Sequence, residues 1–426
     1  MPVHLRRNYW LGVISGIAYN FYIAVLSTEL VLTWFLSELT DSNLLISLLV
    51  PIEMGSWLFL QLLLSGYVQR WPRALPLYRV MAGVRIVALI LLSLATFVLD
   101  GPGVLLVVFM VTFTVNSVAA GVAALPFLNV VAKTIPPTRR GMYFGWRRFV
   151  GGLLGLSGGA LVKLLLSPGF PLTFPDNYGL LFVLGCLITI VLVGTFSFVK
   201  EPEEVVDPQR VRLSEQLRRA ARLPAHDHSY RRYLGLRVAI VAANYALPFY
   251  AVYARRTLNA PDDMVGVYLI GLTLAGVLSN LILGQLGDRR GNRLLMRVVA
   301  MSATLPPALA LLIGHLPEVG LEKSVLFILV FVSQGVQRTA GAIGSNNYVL
   351  ELAPSIQRVL YLGFANGVVG LILFMSPVSG LVVDWLGFEP LFAFSLACSL
   401  VAVMLSLGLD EPRKRQAMAK ATPAST

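Results

Sequence analysis

Charge is scarce in this chain. Charged residues make up 13% of the 426, against about 25% in a soluble domain. That deficit excludes a water-facing surface over most of its length. Cysteine is almost missing. Cys186 and Cys398 both sit in the middle of apolar runs, which excludes a disulfide framework or a zinc pattern and suits small core side chains. The four histidines, His4, His226, His228 and His315, fall outside those runs, so neither a metal site nor a cofactor is expected there. No G-x-x-x-x-G-K-[ST] or H-E-x-x-H string occurs. The signs of ATP drive and zinc proteolysis are therefore lacking, and an enzyme is not expected.

What the chain has instead is long hydrophobic runs. A helix needs about 20 apolar residues to cross the hydrocarbon core. Twelve such runs lie near 10–36, 44–68, 75–99, 104–132, 141–166, 178–199, 233–254, 264–286, 294–314, 324–350, 359–384 and 388–409. Backbone polar groups in lipid must be paired within the segment, so each run predicts an α-helix and the chain a multi-pass, all-α membrane protein. The first run ends without a small-residue cleavage site, so no cleavable signal peptide is expected.

The net charge of +12 could suggest nucleic acid, but its placement marks one membrane face. Arg6 and Arg7 precede the first run. Arg70, Arg73 and Arg79 sit in the second link, Lys133, Arg139 and Arg140 in the fourth. Eight basic residues run from Lys200 to Arg232, and Arg289, Arg290, Arg293 and Arg297 crowd the eighth link. The odd links carry Glu38, Asp41, Asp100, Asp176, Asp262, Asp263, Glu318, Glu322 and Glu389; Arg255, Arg256 and Lys323 are the exceptions. The bias toward one side predicts both termini in the cytoplasm. The expected setting is a cell membrane, the expected state a monomer, and no nucleic-acid partner is expected.

The chain divides at its longest polar stretch. We expect a six-helix bundle over 1–200, a linker over 201–231, a second six-helix bundle over 232–410 and a cytoplasmic tail over 411–426. In the linker, Asp207-Pro208 reads as a helix start. Leu213, Leu217, Ala220 and Ala221 share one face, which fits either an amphipathic surface helix or a solvated linker helix. The halves show weak repeats. Arg6-Arg7-Asn8-Tyr9-Trp10-Leu11-Gly12 parallels Arg231-Arg232-Tyr233-Leu234-Gly235, and Asn20 parallels Asn244. Six plus six with internal symmetry is how one class of secondary transporters is built.

Link eight reads Gly284-x-x-x-Asp288-Arg289-x-Gly291-x-Arg293. With the twelve runs and the central linker, it resembles the cytoplasmic loop motif of the major facilitator superfamily. The resemblance implies a loop that latches one conformation of a transport cycle. Gly284 would allow close helix approach, Asp288 would accept charge-assisted bonds, and Gly291 would turn the chain. The first-half copy, Gly66-Tyr67-Val68-Gln69-Arg70-Trp71-Pro72-Arg73, departs from the motif. Span five carries Gly151, Gly155 and Gly159 four apart. This is a small-residue seam for helix packing, and it loosely resembles the glycine-rich span-five motif of the family's antiporters.

The resemblance also implies that spans one, four, seven and ten line a central cavity. On span ten, Gln334, Arg338, Gly341 and Ser345 share a face and Gln337 flanks it. Arg338 is expected near the midplane, answering either an anionic substrate group or a structural ion pair. Span one offers Ser15, Tyr19, Tyr22 and Glu29, span four Thr112 and Asn116, and span seven Arg237, Asn244 and Tyr245. Two carboxylates, Glu29 and Glu53, fall in the outer half, where burial suits one of them to carry a coupling proton. Arg85, Arg147 and Arg148 are partners for them by charge alone, and Arg147 and Arg148 stand where long side chains snorkel to headgroups. These residues suggest a secondary transporter of a small organic solute, with proton-coupled efflux of an amphipathic compound expected first. Uptake of an organic anion or a transport-inactive sensor stands as the alternative.

Overall fold

The computed structural model describes residues 3–68, 72–203, 221–225, 227–317, 322–354 and 357–412. Most of the linker and the tail thus lie outside the described residues. So do the link-two residues 69–71 and most of the expected amphipathic helix. The described residues form helices and no strand. They are α1 (Val3–Val25), α2 (Thr33–Leu39), α3 (Asn43–Ser47), α4 (Leu49–Val68), α5 (Leu75–Val98), α6 (Pro102–Thr134), α7 (Pro137–Leu165) and α8 (Asp176–Ser197). There follow α9 (His228–Ala243), α10 (Leu247–Arg256), α11 (Met264–Arg290), α12 (Asn292–His315), α13 (Lys323–Leu326), α14 (Ile328–Leu352), α15 (Arg358–Leu373), α16 (Val378–Leu386) and α17 (Phe388–Leu407). Among the described residues, 11 helical segments are long and apolar enough to cross a membrane. The protein is a multi-pass membrane protein. The run expected at 44–68 falls on α3 and α4.

Several spans are broken where the sequence explains it. Span one passes through a π-helical turn at Thr28–Leu32, which contains Glu29. Span seven breaks at a 3-10 turn, Asn244–Ala246, just before Pro248, which has no N–H to donate. That break is also a boundary of compactness. Met1–Gln209 together with Leu247–Thr273 forms one compact unit, and Arg210–Ala246 together with Leu274–Thr426 the other. The units therefore depart from the expected halves: the segment Leu247–Thr273 packs with the first six spans.

That segment explains the two arginines that broke the charge pattern. Arg255 pairs with Glu38 and donates to Ser37 O at 2.6 Å. Arg256 donates to Thr40 O at 2.8 Å and to Asn43 Oδ1 at 3.2 Å. Trp34 Nε1 donates to Asp262 Oδ1 at 2.9 Å. These cations are neutralised locally, so they say nothing about which face is cytoplasmic. Beneath this seam Phe35 lies against Phe109, Phe174, Tyr178 and Phe182, with ring centroids 5.0–5.6 Å apart.

A carboxylate closes the opposite end of the first unit. Glu201, just past α8, accepts from the backbone N–H groups of Ala74 and Leu75 at 2.9 and 2.8 Å. It thus caps the start of α5. It also pairs with Lys133 at 3.1 Å, with both side chains at most 9% exposed. In the second unit Glu411 lies beside Gly291, at the start of α12. Glu201-Pro202 and Glu411-Pro412 are a sequence repeat that the comparison of span openings passes over. Four tyrosines, Tyr230, Tyr233, Tyr348 and Tyr361, pack into the core of this unit.

Removing Glu201 leaves a helix start uncapped and takes the carboxylate away from the nearly buried ammonium of Lys133. Glu201→Ala should cost about 3 kcal/mol, read as a lowered melting temperature in detergent. Its neighbour Glu203 pairs with Arg73 in the open, at 69% and 56% exposure. Glu203→Ala should therefore change stability by less than about 1 kcal/mol. Similar losses in the two variants would contradict the capping role.

Candidate functional site

The site begins with how α1 and α7 approach each other. Both helices step in the same direction with a constant offset, so Gly12 faces Tyr143, Gly16 faces Arg147, Asn20 faces Gly151 and Ala24 faces Gly155. At each rung a small residue on one helix receives a larger one from the other, apart from the last, where both are small. A Cβ on Gly16 would lie 2.0 Å from Arg147 Nε, and one on Gly12 would lie 2.2 Å from the Tyr143 hydroxyl. A Cβ on Gly151 would lie 2.5 Å from Asn20 Cβ. One turn further, Gly159 takes Ile270 of α11, where an added Cβ would come within 2.7 Å.

This ladder lays a guanidinium flat against α1. Arg147 is 7% exposed. Its Nη1 donates to Gly12 O at 2.7 Å and to the Tyr143 hydroxyl at 2.8 Å. Its charge lies 4.7 Å from the centre of the Phe127 ring and 5.1 Å from that of Tyr143, within cation–π range. Asn20 ties the backbone, donating to Gly16 O at 2.8 Å and Arg147 O at 3.2 Å. The snorkelling expected of Arg147 does not occur, because the glycines of α1 leave it a berth inside the protein.

A second buried arginine lies close by. Arg85 is also 7% exposed, and its Nε donates to Asn116 Oδ1 at 3.2 Å. Asn116 Nδ2 donates to the Tyr22 hydroxyl at 3.1 Å, and the Tyr22 ring lies 5.4 Å from the guanidinium. Arg85 and Arg147 are each the eleventh residue of their helix, about 15 Å from its first residue at 1.5 Å per residue.

Both arginines line a cavity of about 330 Å³ inside the first unit. Ser15, Tyr19, Asn20, Trp57, Tyr78 and Arg148 also face it, with Ala120, Ala123, Ala124 and Phe127 forming the wall from α6. The α6 residues recur at helical spacing, small until Phe127, which keeps the space open. Gly121 sits among them because a Cβ there would strike the Ser56 carbonyl at 2.5 Å. Among the described residues no carboxylate lines the cavity. Among the described residues neither Arg85 nor Arg147 makes an ion pair, and Nη1 and Nη2 of Arg85 make no hydrogen bond.

The expected site residues fall into separate places. Tyr19 lines this cavity, while Tyr22 and Asn116 stand behind Arg85. Glu29 and Glu53 are half-buried, each has a partner, and neither lines the cavity. Gln334, Gln337, Arg338 and Asn244 belong to the second unit. There Gln337 Nε2 donates to Asn244 Oδ1 at 2.7 Å. Gln334 is 2% exposed, and both its amide atoms lack partners among the described residues. Arg338 is exposed, near the middle of α14.

In the loop motif, Gly291 is the single residue between α11 and α12, at φ +87°, a conformation that favours glycine. Arg293 and Arg297 donate to Leu407 O at 3.4 and 3.2 Å. Gly284 has open space around it, Arg289 is exposed, and the Asp288 side chain lies outside the described ones. Gly155-Leu156-Ser157-Gly158-Gly159 spells a nucleophile-elbow string. It lies mid-helix with Ser157 bonded back to Leu154 O at 2.6 Å, so it lacks the strand-to-helix turn that such chemistry needs.

The Major Facilitator Superfamily model matches residues 233–425. No curated protein matches the chain in sequence. Among solved structures, the fold is similar to a mutant of the nucleoside transporter NupG, with TM-score 0.68 and 15% identity over 95% of this chain and 98% of that one. It is similar to a D-xylose-proton symporter, with TM-score 0.69 and 13% identity over 96% of this chain and 99% of that one.

If the ladder holds Arg147, an added methyl at position 16 must disturb it. Gly16→Ala should lower the melting temperature. Gly141→Ala, in open space on α7, should stabilise by up to about 1 kcal/mol through helix propensity alone. Equal effects at the two positions would mean that Arg147 is not clamped.

Proposed function

We propose that this chain, whose residues 233–425 match the Major Facilitator Superfamily model, is a transporter of that family, that it moves a small polar organic solute by alternating access, and that the cavity of the first unit holds that solute. The observation that carries this reading is a space of about 330 Å³ in the membrane-spanning interior, walled by alanines and ringed by arginine, asparagine, serine and aromatic side chains. Solute sites have this make-up, with an apolar wall and a few convergent polar groups. The printed names of two structural neighbours, a nucleoside transporter and a D-xylose-proton symporter, also support a small polar cargo. Efflux of an amphipathic compound draws no such support. The span-five glycines that suggested antiport are accounted for by their contacts with α1 and α11.

The remaining assignments belong to the same proposal. Gln334, whose buried amide has polar capacity unspent, and Gln337, Asn244 and Arg338 are the second unit's candidates for solute contact. Glu29 or Glu53 carries a coupling proton. The Gly284–Arg293 loop latches the cycle. The protein works as a monomer in a cell membrane, with both termini cytoplasmic.

Two measurements test this. In proteoliposomes carrying a pH gradient, at least one of D-xylose, uridine, succinate and glycerol 3-phosphate should accumulate. Ala124→Trp, which fills the cavity, should abolish that flux at unchanged folded yield. Full flux in Ala124→Trp would move the solute site elsewhere. For coupling, Glu29→Gln or Glu53→Gln should end accumulation while leaving solute exchange intact, since an amide cannot titrate. Accumulation retained in both would place the coupling group outside this pair.

A further inference from the structure

Resting on the reading of this cavity as the solute site, we propose that the solute is an organic anion, a carboxylate or phosphomonoester, whose charged end is gripped between Arg85 and Arg147. Two guanidiniums lie buried in one cavity at matching depth in their helices. No carboxylate of the described residues neutralises either, and none lines the space they share. A buried cation without a counter-charge is costly. A protein that needed only a structural cation here would have placed an acid beside it, as it does for Lys133 with Glu201 and for Arg255 with Glu38.

The hydrogen-bond pattern points the same way. Each arginine is anchored by part of its fork and leaves the rest unused. Arg85 is held through Nε by Asn116, itself fixed by Tyr22, and among the described residues its two terminal nitrogens make no hydrogen bond. Arg147 is held through Nη1 by Gly12 O and the Tyr143 hydroxyl and is steadied by the Phe127 ring. Positioned guanidinium forks with spare donors match the paired oxygens of a carboxylate or phosphate. The apolar wall of Ala120, Ala123 and Ala124 and the Trp57 and Phe144 rings then take the organic body. Two buried positive charges, with the exposed Arg148 also facing the space, suit a doubly charged anion, so the preferred cargo is a dicarboxylate or a phosphomonoester.

Arg85 is the better test position. Gln at 85 keeps a donor toward Asn116, whereas Arg147 is woven into the α1–α7 packing. The full chain in phosphatidylcholine nanodiscs should bind succinate or glycerol 3-phosphate saturably and show no binding of D-xylose or uridine. Arg85→Gln should weaken anion binding at least tenfold at unchanged melting temperature, and Arg85→Lys should recover part of the loss. Binding of D-xylose or uridine with both anions inert, sensitive to Ala124→Trp, would overturn the anion assignment and leave the transporter reading standing. Anion binding that ignores both Arg85→Gln and Ala124→Trp would place the anion elsewhere and overturn the proposal. No binding of either anion would overturn it too, and flux of D-xylose or uridine would then decide the transporter reading separately. Binding lost in phosphatidylglycerol nanodiscs would assign the arginines to a lipid headgroup, and the proposal would fall.

Discussion

The first unit depends on one packing constraint, the close parallel approach of α1 and α7. A guanidinium inside a membrane protein is tolerable only where it finds donors' partners and polarisable faces and where lipid is kept away. The rungs from Gly12–Tyr143 to Ala24–Gly155 supply this. By removing side chains from α1 at positions 12 and 16, the sequence gives Arg147 a carbonyl oxygen, a tyrosine hydroxyl and a phenyl ring within a few ångströms. The cavity follows, because a side chain lying flat on α1 leaves the space toward α5 and α6 unfilled. The alanines at 120, 123 and 124 keep it so.

Charge is handled in two ways within the same unit. At its ends, cations are neutralised by acids of their own neighbourhood: Lys133 by Glu201, Arg255 by Glu38. In its interior, Arg85 and Arg147 are supported by neutral groups and rings. The difference is physical. An end pair fixes helix termini and can be permanent. An interior cation satisfied only by dipoles keeps its capacity to attract a mobile anion, and releases it again when the surroundings rearrange. A carboxylate in the cavity would remove that capacity.

Much of the fold was legible from hydropathy and charge. The apolar runs became helices, and the scarcity of interior charge drew attention to the few ionisable groups at depth. The site was less legible. Tyr19, Tyr22 and Asn116 could be picked out because they lie on one face of their own helix, a local property. Arg147 was left between a carboxylate partner and the headgroups because depth along a helix does not reveal what lies opposite. The signal that could have corrected this was present as two matched four-residue periodicities. Gly12, Gly16 and Asn20 on one span answer Tyr143, Arg147 and Gly151 on another, but reading them together requires knowing that α1 and α7 are neighbours. Arg255 and Arg256 stood as exceptions in the charge count for the same reason: their partners Glu38, Thr40 and Asn43 lie over two hundred residues away.

The break at Asn244–Ala246 joins these observations. A continuous helix from His228 to Arg256 would be one rigid rod. The 3-10 turn followed by Pro248 weakens the hydrogen-bond ladder at that point, and the boundary between compact units falls there. The part Leu247–Arg256 is committed to the first unit through Arg255 and Arg256. The part His228–Ala243 keeps Tyr230 and Tyr233 in the tyrosine core of the second. The side chain at the break, Asn244, is held by Gln337 of α14. The break is therefore tied by one hydrogen bond to the helix that carries Gln334 and Arg338.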